Sequence, residues 1–198
     1  MSKGSAQMAI AIFLIVTLPV IFITLPIVIV YYNKLNKTKN RVKFAFSGMD
    51  VQLKKRADMI PNLVASVKSI MTHETELFSN ITALRSKILD ANPNSKERFE
   101  AESQLSGLMG NLNISMESYP EMKSNDNMMH LQRSITDVEE QISASRRAYN
   151  STVLNMNDSI TTFPGNIFGA AMELNEDEYF QVADGDRANP NVSNLFGV

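Results

Sequence analysis

Cysteine and tryptophan are absent from this 198-residue sequence, and histidine and glycine are scarce, with two and eight residues. Without cysteine the chain cannot form a disulfide framework, a cysteine zinc site, an iron–sulfur cluster or a thiol nucleophile. The GxGxxG and GxxxxGK(S/T) patterns of dinucleotide and nucleotide sites do not occur either. His73 and Glu74 begin an HExxH-like sequence, but residue 77 is leucine, so the second zinc ligand is missing. We therefore predict a protein that is not an enzyme and holds no cofactor or metal.

One apolar run dominates the N-terminal part, since the 22 residues from Ala9 to Val30 carry no charge. As a helix this run is about 33 Å long, enough to cross a hydrocarbon core of about 30 Å. A cleaved signal peptide has a shorter apolar region of about 7–15 residues. Tyr31 and Tyr32 followed by Lys34 are also typical of an interfacial aromatic belt. We predict an uncleaved transmembrane helix over residues 9–30, preceded by a short extracytoplasmic segment of residues 1–8.

Positive charge is concentrated directly after the apolar run. Residues 1–60 carry nine Lys or Arg and only two Asp, although the whole chain has a net charge of −2. A basic stretch beside an apolar one indicates contact with an anionic lipid bilayer rather than with nucleic acid. The positive-inside rule predicts that the N-terminus lies outside and the bulk of the chain in the cytoplasm. The predicted membrane-surface cations are Lys34, Lys37, Lys39, Arg41 and Lys43.

A short repeat lies inside the apolar run, where Val-Thr-Leu-Pro at 16–19 recurs as Ile-Thr-Leu-Pro at 23–26. A spacing of seven residues places both prolines on one stripe of a helix. Each proline removes a backbone donor and crowds a carbonyl, and the threonine hydroxyls are candidates to satisfy the freed groups. Two interpretations stay open, a kinked anchor and a packing stripe between several copies. The candidate packing residues are Thr17, Pro19, Thr24 and Pro26.

Beyond Tyr31 the apolar residues recur with alternating spacings of three and four, which predicts helices with coiled-coil packing. Residues 31–89, 95–119 and 128–163 predict three long helices, with a bend near Asp58 caused by Pro61 and a cap at Ser95. Short loops between them predict antiparallel neighbours, so the first and third helices are expected to be parallel. The end of the third helix is then expected far from the membrane.

Polar residues interrupt the first apolar series at three positions, of which Arg56 and Glu74 are the most informative. Eighteen residues apart on one helix, they are about 27 Å from each other and cannot pair. Each therefore needs a partner from another helix or from water. We expect both to set register and assembly order, as polar residues in coiled-coil seams do.

The C-terminal part has short apolar patches between acidic residues, which predicts short helices that dock on the bundle. Phe168, Tyr179 and Phe180 are the candidate residues for a partner surface. Residues 183–198 are predicted to form a surface tail. The predicted fold is thus all-α, with an N-terminal transmembrane helix, an antiparallel bundle of long helices over residues 31–182 and short C-terminal helices.

Several motifs resemble those of the LemA family and occur in the same order. They are Tyr32-Asn33-Lys34-Leu35, DVQLKKRADMIPNLV at 50–64, ASRRAYN at 144–150, Phe163-Pro164-Gly165-Asn166 and Tyr179-Phe180. The resemblance covers about residues 31–198. It implies a membrane helix followed by an all-helical cytoplasmic bundle, and it brings no established catalytic activity and no catalytic residues. It also implies partners at the membrane, because some members accompany a membrane metalloprotease of the HtpX type and one branch is linked to magnetosome membranes.

Two functions are therefore expected. The leading one is a non-enzymatic, single-pass scaffold in a bacterial inner membrane that forms homo-oligomers and organises or remodels the bilayer. The alternative is an adaptor or regulator of a membrane-bound metalloprotease of the HtpX type.

Overall fold

The computed structural model describes residues 3–123 and 126–181, and within these ranges all regular secondary structure is helical. The helices are α1 (Lys3–Val67), α2 (Thr75–Asp90), α3 (Lys96–Glu117), α4 (Pro120–Lys123), α5 (Asp126–Thr161) and α6 (Gly165–Ala171). Residues 174–181 follow α6 without regular structure. The predicted all-α class is confirmed. The predicted tail at 183–198 lies outside the described residues.

The prediction of one long helix over residues 31–89 is wrong, because the chain turns between α1 and α2. Residues 68–74 form this turn, and Met71 within it is fully buried. The turn contains no glycine or proline, and its apolar residues face the same core as the helices on either side. The apolar spacing therefore continues through the turn and hides it. Pro61, in contrast, lies inside α1 and does not end it.

This additional turn changes the direction of the last long helix. Phe46 of α1 contacts Tyr149 of α5, with ring centroids 5.9 Å apart, and Arg56 of α1 bonds Glu139 of α5. Because residue numbers rise along α1 while they fall along α5, the two helices are antiparallel. The predicted parallel arrangement of the first and third helices is wrong for that reason. Arg85 Nε of α2 donates to the Ala57 carbonyl at 2.7 Å, so α2 folds back along α1.

The chain divides into two compact units, each built from separate stretches of sequence. The first unit comprises Met1–Lys43 and Thr152–Asp177. Its buried apolar residues come from α1 and from the C-terminal part of α5. They are Leu35, Val42, Val153, Met156 and Ile160. Gly169 of α6 lies against this core, because an added Cβ would come within 3.1 Å of Ile160 Cβ.

The second unit comprises Phe44–Ser151 and Glu178–Val198. Its core is formed by α1, α2, α3 and α5, and α2 packs against α3. Ser95 caps α3 as predicted, since its Oγ accepts a hydrogen bond from the Arg98 backbone N–H at 3.2 Å. An aromatic cluster of Phe46, Phe99, Tyr149 and Phe180 extends this core.

Candidate functional site

The apolar part of α1 differs from every packed helix in its exposure. Among the described helices, α1 alone is long and apolar enough to cross a bilayer. Its most apolar 18-residue window has a mean hydropathy of 2.9, and none of that window is buried. Phe13 and Phe22 are 67% and 79% exposed. A helix that is apolar on all sides and that no other described part of the chain covers has the properties of a membrane anchor.

The repeated Thr-Leu-Pro stripe lies in this exposed part of α1. Thr17 Oγ1 donates to the Phe13 carbonyl at 2.8 Å, and Thr24 Oγ1 donates to the Ile21 carbonyl at 3.4 Å. The carbonyls that the prolines crowd are four residues back, at Ile15 and Phe22. The expected role of the threonines in satisfying those two carbonyls is therefore wrong. Pro19, Thr24 and Pro26 are exposed, so the stripe is accessible to another helix.

The five predicted membrane-surface cations follow on the same helix. All five, from Lys34 to Lys43, are exposed. Lys34 Nζ lies 5.8 Å from the centroid of the Tyr31 ring, within the range of a cation–π contact. Burial raises the pKa of Asp177 in the same unit, and the positive charge of Lys39 opposes that shift. These cations therefore lie directly beyond the apolar segment.

A polar cavity of about 450 Å³ lies in the first unit, between this stretch of α1 and the end of α5. Sequence reasoning missed it, because a parallel third helix would have ended elsewhere. The cavity is lined by charged, polar and aromatic side chains of both helices and of the two residues that follow α5. They include Tyr31, Lys34, Thr38, Arg41, Asn155, Asp158, Ser159, Thr162 and Phe163.

In the second unit Arg56 is the centre of a buried ion-pair cluster and is only 2% exposed. Its Nη1 donates to Glu139 Oε1 at 2.9 Å and to Ser106 Oγ at 2.5 Å. Its Nη2 donates to the Glu102 carbonyl at 3.1 Å and pairs with the Glu102 carboxylate. These partners lie on α3 and α5 of the same chain, so Arg56 fixes the alignment of three helices within it.

Two other charged residues of this region differ from what the sequence predicted. Glu74 lies in the turn before α2 and not in a helical seam, so that placement is wrong. Arg98 was not singled out, yet it is buried, and its Nη2 donates to Asp50 Oδ1 at 2.5 Å. Arg98 thus adds a second contact between α1 and α3.

Glu102 is the most deeply buried carboxylate of the cluster, at 1% exposure. Burial raises its pKa above the ordinary value of 4.5, although the neighbouring Arg56 and Arg98 guanidinium groups act in the opposite direction. Its Oε1 has no hydrogen-bond donor and lies 3.8 Å from Arg98 Nε. The ionised carboxylate is therefore less favourable in the folded chain than in water.

Replacing Glu102 with glutamine is expected to make the stability difference from the parent chain depend on pH. Well below pH 4.5 the parent carboxyl is neutral in both the folded and the unfolded chain. As the pH rises, the carboxyl ionises first in the unfolded chain, so the parent loses stability relative to Glu102→Gln until the folded pKa is passed. The gain is about 1.4 kcal/mol for each unit by which the pKa is raised. Urea unfolding in detergent from pH 4 to 8 measures it, and a constant difference would contradict it.

The residues after α6 are held by two asparagines of α5 that sequence reasoning missed. In the first unit, Asn157 Nδ2 donates to the Asp177 carbonyl at 3.0 Å and the Asp177 N–H donates to Asn157 Oδ1 at 2.9 Å. In the second unit, Asn150 makes the same pair of bonds with the Phe180 backbone, both at 2.9 Å. Each amide side chain thus imitates one step of a strand ladder.

The three candidate partner-surface residues have different environments. Phe180 is 2% exposed and packs on Phe99, with ring centroids 4.8 Å apart, so it belongs to the core and not to a surface. Phe168 is partly buried and stacks on Tyr31 at 5.3 Å. Tyr179 is 39% exposed. Of the three, Tyr179 has the most accessible ring.

Among the described residues, the side chains of the types that bind metals do not cluster. No group of three or more His, Asp or Glu side chains there is arranged to hold a metal ion. His73 and His130 are both exposed on the surface. The ion-pair cluster is closed by helices on several sides, and the adjoining apolar cavity measures only about 10 Å³.

Comparison with known proteins gives matches over most of the chain. A family model described as LemA family matches residues 45–194. Protein LemA of Metamycoplasma hominis is 27% identical over 182 residues, which cover 89% of this chain and 83% of that protein. Magnetosome protein MamQ of Magnetospirillum gryphiswaldense is 22% identical over 205 residues, covering 91% and 74%. Magnetosome protein MamQ 2 of Paramagnetospirillum magneticum is 22% identical over 160 residues, covering 68% and 59%.

Proposed function

Since this chain belongs to the LemA family, with residues 45–194 matched, we propose that it is a non-enzymatic membrane scaffold. It is anchored by one helix, self-associates at the bilayer and organises or remodels it. The observation that carries the proposal is the apolar stretch of α1, of which no part of the most apolar window is buried and which continues without a break into the packed part of the same helix. Similarity to magnetosome proteins, which are named for a membrane compartment, is consistent with a role at membranes.

Self-association is supported by the stripe of Thr17, Pro19, Thr24 and Pro26. Within a bilayer, helix association depends on close packing and interhelical hydrogen bonds rather than on the hydrophobic effect. The two proline positions leave carbonyls without their usual intrahelical donor, and a neighbouring helix is able to supply one. Both prolines are exposed in the single chain. A second copy is therefore the occupant that this stripe fits.

Replacing Pro19 and Pro26 together with leucine is expected to lower the number of copies per particle by half or more. The reason is that leucine restores the backbone donors and fills the stripe with bulkier side chains. Particle mass is measured after extraction of the full chain with its native lipids. The matched control, Leu18→Ile with Leu25→Ile, changes the neighbouring face and should leave particle mass unchanged. A parent chain that is monomeric in native lipids would contradict the scaffold proposal.

The proposed location is a bacterial inner membrane, with the N-terminus outside and the helical body in the cytoplasm. It rests on the five cations from Lys34 to Lys43, all exposed directly beyond the apolar stretch. Each cation near an anionic leaflet contributes about 1 kcal/mol of attraction. The positive-inside rule favours the cytoplasmic side for the same cations.

The alternative function is that of an adaptor or regulator of a membrane-bound metalloprotease of the HtpX type. It is supported by the exposed apolar side chains of Ile167 and Tyr179, at 59% and 39% exposure. The native-lipid particles distinguish the two functions. A scaffold gives particles of this polypeptide alone, whereas an adaptor gives particles with a second polypeptide in constant ratio.

A further inference from the structure

The polar cavity of the first unit begins where the apolar stretch of α1 ends. Tyr31 lines the cavity and directly follows Val30, the last residue of the apolar run. Lys34 lies about 6 Å beyond Val30 along the helix axis, and this distance matches the depth of a lipid headgroup layer. Arg41 is further away, but helical side chains lean toward the N-terminus, which here means toward the membrane. At about 450 Å³ the cavity is large enough for a headgroup.

The charges of the cavity favour an anion. Lys34 and Arg41 supply two positive charges, and Asp158 supplies one negative charge. Among the described residues, neither Lys34 nor Arg41 has a carboxylate within 4.0 Å. The lining therefore keeps a net positive charge next to a membrane surface.

The hydroxyl groups of the cavity favour a ligand that itself donates hydrogen bonds. Thr38 donates to the Lys34 carbonyl at 3.0 Å, and Ser159 and Thr162 donate to the carbonyls of Asn155 and Asp158, both at 2.6 Å. Because each hydroxyl proton is already used, the three oxygens remain as acceptors. A headgroup with free hydroxyls satisfies them, whereas a choline headgroup has no donor to offer.

An exposed aromatic ring lies beside the cavity in the first unit. Phe163 lines the cavity, lies two residues after the end of α5 and is 81% exposed. Ile167 of α6 is also largely exposed, and Phe168 of α6 stacks on Tyr31. Apolar side chains at the level of the aromatic belt are stabilised by the bilayer interface.

From these observations we propose that the cavity binds the phosphate and hydroxylated headgroup of an anionic glycerophospholipid, with Phe163 inserted in the bilayer beside it. Lys34 and Arg41 pair with the phosphate, and the oxygens of Thr38, Ser159 and Thr162 accept from the headgroup hydroxyls. The inference rests on the membrane anchoring in the proposed function but not on self-association.

Lipid binding is tested with the full chain in neutral detergent by native mass spectrometry, using phosphatidylglycerol, phosphatidylcholine and inorganic phosphate as probes. Phosphatidylglycerol should bind at least about tenfold more tightly than phosphatidylcholine, and Lys34→Gln with Arg41→Gln should remove that preference. The control, Lys54→Gln with Lys55→Gln, removes the same charge from exposed positions outside both the cavity lining and the five membrane-surface cations, and should change affinity by about twofold or less. Asp158→Asn should strengthen binding about threefold, because it removes the one acid among the described lining residues.

Three results would overturn the assignment. Equal losses in Lys34→Gln with Arg41→Gln and in the control double variant would reduce the effect to general surface attraction. Displacement of phosphatidylglycerol by inorganic phosphate at equal concentration would assign the cavity to a soluble anion. An unchanged affinity in Lys34→Gln with Arg41→Gln, with helix content intact, would exclude the cavity altogether.

The position of Phe163 is tested independently, because the chain has no tryptophan. In proteoliposomes that contain brominated lipids, the fluorescence of Phe163→Trp should be quenched at least about twofold. Phe44→Trp is the control, since Phe44 is 83% exposed but lies about 21 Å beyond Val30 along α1. Equal quenching of both variants, or of neither, would contradict the insertion of Phe163. The mass of particles extracted with native lipids, measured for the parent chain as above, shows separately whether the scaffold proposal fails.

Discussion

Replacing Arg56 with methionine is expected to lower the free energy of unfolding by about 3–5 kcal/mol. Methionine fills a similar volume, but it leaves the buried Glu102 carboxylate with only the longer Arg98 contact at 3.8 Å, and it leaves Glu139 without its cation. A buried charge without a partner costs far more than the pair itself contributes. Urea unfolding of the full chain in a non-ionic detergent, followed by circular dichroism at neutral pH, measures the loss.

The control and a rescue variant make this result specific to the ion-pair cluster. Arg133→Met removes a positive charge from an exposed position of α5, and its effect should stay within about 0.5 kcal/mol. Combining Arg56→Met with Glu102→Gln removes the unpaired buried charge, so the double variant should recover about half of the loss. If the double variant is no more stable than Arg56→Met alone, the cost does not come from the charge of Glu102.

Replacing Asn157 with alanine is expected to release residues 174–177, the part of the segment after α6 that Asn157 holds, and to lower the free energy of unfolding by about 2–3 kcal/mol. The variant leaves the N–H and carbonyl of Asp177 without partners, and each such group costs about 1–3 kcal/mol when it stays buried. Solvation of the released segment limits the total. Hydrogen exchange of residues 174–181 and the unfolding midpoint both measure the change.

Asn155→Ala is the matched control, because Asn155 is exposed on the same helix. Its midpoint should stay close to that of the parent chain. Asn157→Asp keeps the acceptor for the Asp177 N–H but loses the donor to the Asp177 carbonyl, so an intermediate loss is expected. Full protection of residues 174–181 in Asn157→Ala would show that other contacts hold the segment.

Much of the fold is predictable because it depends on local patterns. The uncharged run from Ala9 to Val30, the heptad spacing and the cap at Ser95 each correspond to a feature of the structure. The turn at 68–74 was not predictable from the same spacing, because apolar residues inside it face the core in step with the helices. That one missed turn reversed the expected direction of α5 and concealed the polar cavity.

The candidate sites were less predictable, because they depend on contacts between distant residues. In α3 the buried positions Arg98, Glu102, Leu105, Met109 and Leu112 follow the spacing of four and three. A search for apolar residues alone selects Ala101 instead of Glu102. Glu102 would have been predicted as a partner of Arg56 if polar residues that keep the spacing of such a series had been considered too. The bonds of Asn150 and Asn157 join residues 20 to 30 positions apart and left no such signal.

The Arg56 cluster also determines how α1 is able to move against its neighbours in the second unit. A purely apolar heptad surface looks nearly the same after a slide of seven residues, about 10 Å, so such helices have several alignments of similar energy. Arg56 meets Glu102 and Glu139 together in only one of them. Any such slide would leave buried ions without their partners. The cluster therefore resists force applied along the axis of α1.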